Sequence, residues 1–405
     1  MKHFLLIFLL LCILCTVNCS HVLEQKIFPQ EYHLSSVRYP LAEPQIRDMD
    51  IKNGFLILNM NSSTIIIYST TDYSYISYFG GRRTDRSAFN QFLKSSSPFL
   101  YIMNVNNKNE IKKYEIDSLG TPVIFQTSFT GISNAMNRPY IVNDSLILYD
   151  EFIPEASIKI HNLYTNSKER ALSYGTTSLE DRFVDKNMGG LYANDSCIAF
   201  VYKYQDRIDF HDWEFNLKQS VNHQISDPVI IQPTWTNNRP PKNILYYGKA
   251  YMGQNYFYAL YRGVSHKDFH RDSLPNVSGF GYTYGIKHDV LEVYELDGQP
   301  VCRFRFDDVS PSVFVVDEAQ NRLLGYREVY SDSLLVYQMQ GLPKNGKKTK
   351  PVTQSYLSSL PTTPEPERPK AYIDAGVSGR PDVAPIYFVY MEQLGYYPTS
   401  EILKK

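Results

Sequence analysis

The sequence predicts an all-β fold: a six-bladed β-propeller closed by an N-terminal strand that completes the last blade, with a largely disordered C-terminal tail. Three observations carry this expectation. Aromatic residues are abundant, 14% of 405 with 33 tyrosines, a composition that builds sheets when turn residues are frequent. The stretch "NDSLILYD" from Asn143 returns as "NDSCIAFVY" from Asn194, and self-similarity at roughly 40–50 residues marks a repeat architecture. The last repeat stops one strand short, while a spare extended segment lies near the N-terminus.

Each unit reads as four short strands separated by turn signals. In the first, Gln45–Ile51 leads through Lys52-Asn53-Gly54 to Phe55–Met60, Thr64–Tyr68 and Tyr73–Phe79. The second has an ill-defined strand near Phe92, then Pro98–Met103, Glu110–Ile116 and Pro122–Phe125. The third runs Arg138–Val142, Ser145–Asp150, Ser157–His161 and Arg170–Tyr174. The fourth is Gly190–Ala193, Ser196–Tyr202, Arg207–His211 and Glu214–Leu217. The fifth is Ile244–Tyr251, Tyr256–Tyr261, Val290–Leu296 and Gln299–Phe306. The sixth has only Ser312–Asp317, Arg322–Glu328 and Ser333–Met339, and His33–Tyr39 is the strand free to complete it. Such closure removes the exposed edges of a linear array. A pair of β-sandwich domains is the rival all-β reading, and it leaves the regular unit and the missing strand unexplained. The repeated Asn-Asp pairs are then equivalent turns between first and second strands, suited by their tolerance of left-handed backbone and by bonding to their own main chain.

The termini read differently. Residues 1–19 form a targeting segment, a polar start followed by the apolar run Phe4 to Val17, too short for the roughly 20 residues of a spanning helix. Its end, Thr16-Val17-Asn18-Cys19-Ser20, resembles a bacterial lipobox in which Cys19 is acylated; ordinary signal cleavage is the alternative. Residues 20–32 are a linker, 33–340 the propeller, and 341–405 a tail rich in Pro, Lys, Ser and Thr, too polar for a core. The expected address is the bacterial cell envelope, at the outer membrane through the lipid. Forty-one basic against 42 acidic side chains argue against a nucleic-acid partner. Cys197 and Cys302 fall on strands of neighbouring sheets, which reads against a disulfide.

Three stretches resemble the TolB-like six-bladed propeller lipoproteins. They are Gly54 to Phe92, "LEVYELDGQPVCRFRF" from Leu291, and "VFVVDEAQNRLLGY" from Val313. The resemblance implies a fold and an envelope location, not a reaction. After Phe79-Gly80 the chain departs from the glycine-rich continuation usual in that family and reads Gly81-Arg82-Arg83-Thr84-Asp85-Arg86.

In a ring of meanders, first-to-second and third-to-fourth turns lie on one face, second-to-third turns and crossovers on the other. The long connections, such as Gly80–Gln91, Gly175–Gly189, Lys218–Asn243 and Arg262–Asp289, all belong to the second face. Long loops commonly carry function, so that face is the expected binding surface. Arg82, Arg83, Arg86, Arg138, Arg182 and Arg239 lie there, and guanidinium groups suit carboxylate or phosphate ligands; ordinary solvated loop arginines are the plainer reading. His266 and His270 stand four apart, and His288 closes the same insertion; the spacing reaches one metal from a helical turn, although solvated loop histidines are the commoner case. "DFHDW" from Asp209 reads as a strand end and turn. There is no Gly-x-Ser-x-Gly elbow, His-Glu-x-x-His pair or phosphate-cradling glycine loop, so no cofactor is expected. The expectation is a binding module for a protein or glycan partner of anionic character. The alternative is a metal-assisted hydrolase or lyase at the channel mouth, which convergent carboxylate, Asn or His side chains would mark.

Overall fold

The computed structural model describes residues 24–25, 28–41, 45–60, 64–80, 90–104, 110–120, 122–132, 137–151, 156–175, 189–223, 244–265, 274–275, 282–283, 289–327 and 332–342. Among these, every helix or strand assigned is a strand. The expectations for Cys19, for the linker before Glu24 and for the tail beyond Leu342 lie outside the described residues.

Three N-terminal strands come first: β1 (Glu24–Gln25), β2 (Glu31–Leu34) and β3 (Ser36–Pro40). A meander follows, β4 (Ile46–Lys52), β5 (Phe55–Met60), β6 (Thr64–Ser69) and β7 (Tyr75–Gly80). Next are β8 (Asn90–Ser95), β9 (Leu100–Asn104), β10 (Glu110–Ile116) and β11 (Pro122–Phe129), then β12 (Asn137–Val142), β13 (Leu146–Glu151), β14 (Ala156–Asn162) and β15 (Ser167–Gly175). The fourth meander is β16 (Gly189–Ala193), β17 (Ile198–Tyr202), β18 (Ile208–His211) and β19 (Leu217–Asn222). The fifth is β20 (Ile244–Met252) and β21 (Tyr256–Ser265), interrupted by the two-residue β22 (Leu274–Pro275) and β23 (Tyr282–Thr283), then β24 (Val290–Glu295) and β25 (Pro300–Phe306). The last strands are β26 (Val313–Asp317), β27 (Arg322–Tyr326) and β28 (Ser333–Gln338).

The sheets take a propeller-like arrangement, with one correction to the six separate sheets expected. Four sheets of four or five strands stand as separate blades, whereas β8 to β15 make one continuous eight-stranded sheet. Its two halves join where β8 and β12 pair in parallel, Tyr140 opposite Lys94 and Ile141 opposite Ser95, with Ser96 N donating to Ile141 O at 3.2 Å. First strands are neighbours around the centre: β26 with β4, β8 with β12, β12 with β16, β16 with β20, and β20 with β26. Between sheets lie apolar layers. Tyr258, Leu291 and Phe304 pack on Phe314, Leu335 and Tyr337, and Val315, Leu324 and Leu334 pack on Leu58 and Ile66. Tyr101 and Met103 of one half of the long sheet pack on Ile141 and Ile147 of the other.

The N-terminal segment completes the last sheet, but not as one strand from His33. β3 pairs antiparallel with β28, Val37 opposite Val336, while His33 and Leu34 belong to β2, which extends another sheet by parallel pairing with β25. Asp307 causes the break. Its carboxylate bonds His33 Nδ1 at 2.6 Å and Ser35 Oγ at 2.7 Å, and its N–H donates to Leu34 O, pinning the chain where it steps from one sheet to the next. β1 likewise pairs in parallel with β19. The segment thus covers three outer edges that would otherwise present unpaired backbone.

Residues 214–216 form a turn, not part of the strand expected from Glu214. Asp212 Oδ1 accepts from the N–H groups of Glu214 and Asn216, Phe215 takes a left-handed φ of 62°, and the strand begins only at Leu217. Asp209 to Trp213 is, as expected, a strand end and turn. Cys197 and Cys302 are free, buried thiols; burial pushes the Cys302 thiol up to about 12 and the Cys197 thiol up as well.

Leu34 is 1% exposed in the layer between the fifth and last meanders, whereas Val37 is 57% exposed. Urea unfolding of Leu34→Ala is expected to show a loss of about 2–5 kcal/mol. Val37→Ala is expected to stay within about 0.5 kcal/mol of wild type.

Candidate functional site

None of the side chains singled out from sequence can be set into a site. Arg82, Arg83, Arg86, Arg182, Arg239, His266, His270 and His288 lie outside the described residues, as does Cys19. Arg138 has its backbone in β12, and its side chain is outside them too.

The described cavity, about 580 Å³, opens instead on the face of the short turns. Its rim is made by the turns after β4, β8, β16 and β20, with Asn53, Ser96, Ser97, Asn194, Asp195, Ser196, Gln254 and Asn255 along it. Its wall comes from first strands: Asp50 and Lys52 of β4, Lys94 of β8, Tyr140 of β12, Tyr192 of β16, and Ala250 and Tyr251 of β20.

Local sequence explains three of the short turns on this face. Asn53 and Gly54 both have positive φ, 51° and 80°, the two-residue hairpin turn that Asn-Gly favours. Asn143 and Asp144 do the same, at 47° and 60°. Asn194 and Asp195 do not, so the two repeated Asn-Asp pairs differ. Asn194 Oδ1 instead accepts from the N–H groups of Ser196 and Cys197 at 2.9 and 3.0 Å, the side-chain turn that Asn also forms.

What the turns share is that each bonds to another unit. Lys52 Nζ donates to Ser95 O at 2.6 Å and Ser97 O at 2.9 Å. Tyr101 Oη donates to Asp144 Oδ1 at 2.8 Å, and Lys113 Nζ lies 3.2 Å from Asp144 Oδ2. Ser96 Oγ donates to Asp195 Oδ1 at 2.9 Å, and the Asn143 amide, turned to suit both groups, donates to the same oxygen at 2.7 Å. Asn194 Nδ2 donates to Gly253 O at 2.8 Å. Glu318 accepts from the N–H groups of Gln254, Asn255 and Tyr256. Arg322, paired with Asp317 at 2.8 Å, donates to Thr70 O and Tyr73 Oη, both at 2.7 Å. The circle returns to the first meander.

The electrostatics of the wall are mixed. Lys52 stands 3.3 Å from Asp50 Oδ2; burial pulls the ammonium below its ordinary range and Asp50 opposes that pull. Deeper in, Lys94 lies 3.3 Å from Asp48 and donates to Met49 O. Burial disfavours the Asp48 charge, but Lys94 and Lys249 outweigh it and hold the carboxyl below the usual range. Asp195 goes the other way: burial and the Asp144 charge raise it, against the Ser96 hydrogen bond. Burial, then the Asp50 charge, push the phenols of Tyr140 and Tyr251 well up, so both remain protonated donors. Among the described residues, no group of three or more His, Cys, Asp or Glu side chains is placed to hold a metal. The wall mixes Asp50 with Lys52, Lys94 and tyrosines, so the convergence of carboxylate, Asn or His side chains that would mark the enzymatic alternative is not seen among the described residues.

A second polar cluster escaped the sequence reading. His223 bonds Asp206 Oδ1 through Nδ1 at 2.6 Å and Glu292 Oε1 through Nε2 at 2.5 Å. Arg303 and Tyr294 donate to Glu292 as well, and Phe28 stacks over the His223 ring and under Arg303. Every member is matched within the cluster, which makes it a joint between the fourth and fifth meanders rather than an open site.

No family model matches this chain, and no curated protein matches it.

A raised carboxyl pKa has a consequence for stability. The folded-state value of Asp195 exceeds the unfolded one near 3.8. The contribution is therefore full below pH 3.8 and is lost as pH rises through the folded value. Urea titrations from pH 4 to pH 7 are expected to show wild type losing stability relative to Asp195→Asn, which keeps an acceptor for Ser96 and Asn143. Parallel pH profiles would contradict this.

Proposed function

We propose that this chain is an exported six-bladed propeller of the TolB-like kind, anchored by a lipid on Cys19 in a bacterial envelope, and that it acts as a binding module for a protein or glycan partner. The count of six treats the eight-stranded sheet as two blades. Its support is that each half is a complete four-stranded meander with its own apolar layer against the other.

The partner face in this reading is the short-turn face rather than the long-loop face favoured by loop length alone. The observation that carries it is the polar and aromatic cavity at that end of the channel, held by turns that are bonded to one another. Sites on rigid elements bind with less ordering cost than sites on free loops. The volume lies within the roughly 300–1,000 Å³ of ligand pockets.

Photo-crosslinking in the native envelope tests the face. A photoreactive residue replacing Gln254, on the rim, is expected to capture a partner. One replacing Lys168, on the exposed outer strand β15, is expected to capture none. Capture from position 168 with none from position 254 would overturn the assignment.

A further inference from the structure

Two hydroxyls that line the cavity have no hydrogen-bond partner among the described residues, and one carboxylate oxygen beside them is held only by an ion pair. The Tyr140 hydroxyl, on a residue only 6% exposed, bonds to nothing described, nor does the Tyr251 hydroxyl. Asp50, 4% exposed, accepts from Ile51 N through Oδ1. Its Oδ2 faces Lys52 at 3.3 Å without hydrogen-bond geometry. A buried oxygen such as Asp50 Oδ2 is normally satisfied, and the exception calls for a ligand, water or function; the two hydroxyls are not fully buried and are available to whatever fills the cavity. Here two donors and one acceptor come from β4, β12 and β20, strands of three different meanders, and meet in one cavity. Their neighbours, by contrast, are satisfied: Asn194 bonds Ser196, Cys197 and Gly253, and Asp195 bonds Ser96 and Asn143.

The chemistry of the lining selects among ligands. Its charged members are Asp50 and Asp195 against Lys52 and Lys94, two of each sign. An anion or a cation entering would find no excess of opposite charge, and desolvating it unpaired is costly. A cation faces a further obstacle, because Lys94 Nζ already lies 5.8 Å from the centre of the Tyr251 ring. What remains is a neutral ligand that both accepts from phenols and donates to a carboxylate, with an apolar surface for the rings of Tyr140, Tyr192 and Tyr251. Several hydroxyls on a rigid ring with C–H faces meet all three requirements.

We propose that the cavity between Asp50, Tyr140 and Tyr251 binds a neutral pyranose sugar, with the two phenols donating to ring or hydroxyl oxygens and Asp50 Oδ2 accepting from a sugar hydroxyl. This rests on the short-turn face being the binding face. It narrows the partner there from a protein or glycan to a glycan with an uncharged sugar unit.

Saturation-transfer NMR on the full-length chain, in a sugar-free zwitterionic detergent, tests it with defined probes. The methyl glycosides of glucose, galactose and mannose are titrated alongside glucuronic acid and glucosamine. At least one neutral glycoside is expected to bind saturably and more tightly than either charged sugar. Tyr140→Phe and Tyr251→Phe, which keep the ring and remove only the hydroxyl, are each expected to weaken that binding about three- to tenfold, the equivalent of one net hydrogen bond. The proposal is overturned if no neutral glycoside binds, if a charged sugar binds tighter, or if both phenylalanine variants bind like wild type. If any of these occurs while crosslinks from position 254 persist, only the ligand class fails. If those crosslinks are absent too, the binding face fails with it.

Discussion

Hydrogen bonds from the short turns and the strand residues beside them link the units in a circle, and the remaining architecture depends on that circle. A four-stranded meander cannot bury both its faces by itself; it needs a neighbour on each side, and the last needs the first. Apolar layers supply the attraction between neighbours, but such layers slide. Asn143 and Ser96 converging on Asp195, Asn194 on Gly253, and Arg322 on Thr70 and Tyr73 fix the register between units. Removing one partner of such a bond leaves the other buried and unsatisfied, a larger penalty than the bond's net contribution. The same links hold the first strands, and hence Asp50, Tyr140 and Tyr251, at set positions around the cavity.

Closure at the seam uses a different device. The N-terminal segment runs along the outer strands of three successive sheets, pairing in parallel with β19 and β25 before it pairs antiparallel with β28. Phe28, between the first two of these pairings, covers the His223 joint and packs on Tyr294. One stretch of chain thus completes the last sheet, screens two other edges and roofs a buried ionic cluster. A protein that brings its N-terminus to a membrane anchor, as proposed here, would carry the anchoring load into three sheets instead of one strand.

Much of this fold was legible in the sequence. Phe55–Met60 and Glu110–Ile116 have the limits read from alternation and turn signals. The missing last strand and its N-terminal source followed from counting strands, and β3 does lie beside β28. The misreadings have specific causes. His33 and Leu34 went to another sheet because Asp307, about 270 residues away, captures the chain at Ser35. The strand placed at Glu214 starts at Leu217 because Asp212 organises a wider turn. The fusion of β8 to β12 rests on backbone proximity near the channel, which composition does not encode. The cavity lay hidden for a similar reason. Asp50, Tyr140 and Tyr251 are about 90 to 110 residues apart and look like ordinary strand residues until the ring brings them together. Loop length pointed to the opposite face, whose long connections fall mostly outside the described residues.

The seam is the part of the ring most open to a direct test. Val37 of β3 lies directly opposite Val336 of β28, so cysteines at both positions of the full-length chain should join under mild oxidation, giving a product of altered mobility that reductant reverses. A pair at Val37 and Tyr78, the latter in the outer strand β7 of a different sheet, should not join. Efficient linkage of the first pair alone is the predicted result. Failure of that pair to link, or equal linkage of both, would contradict a ring sealed by its own N-terminal strand.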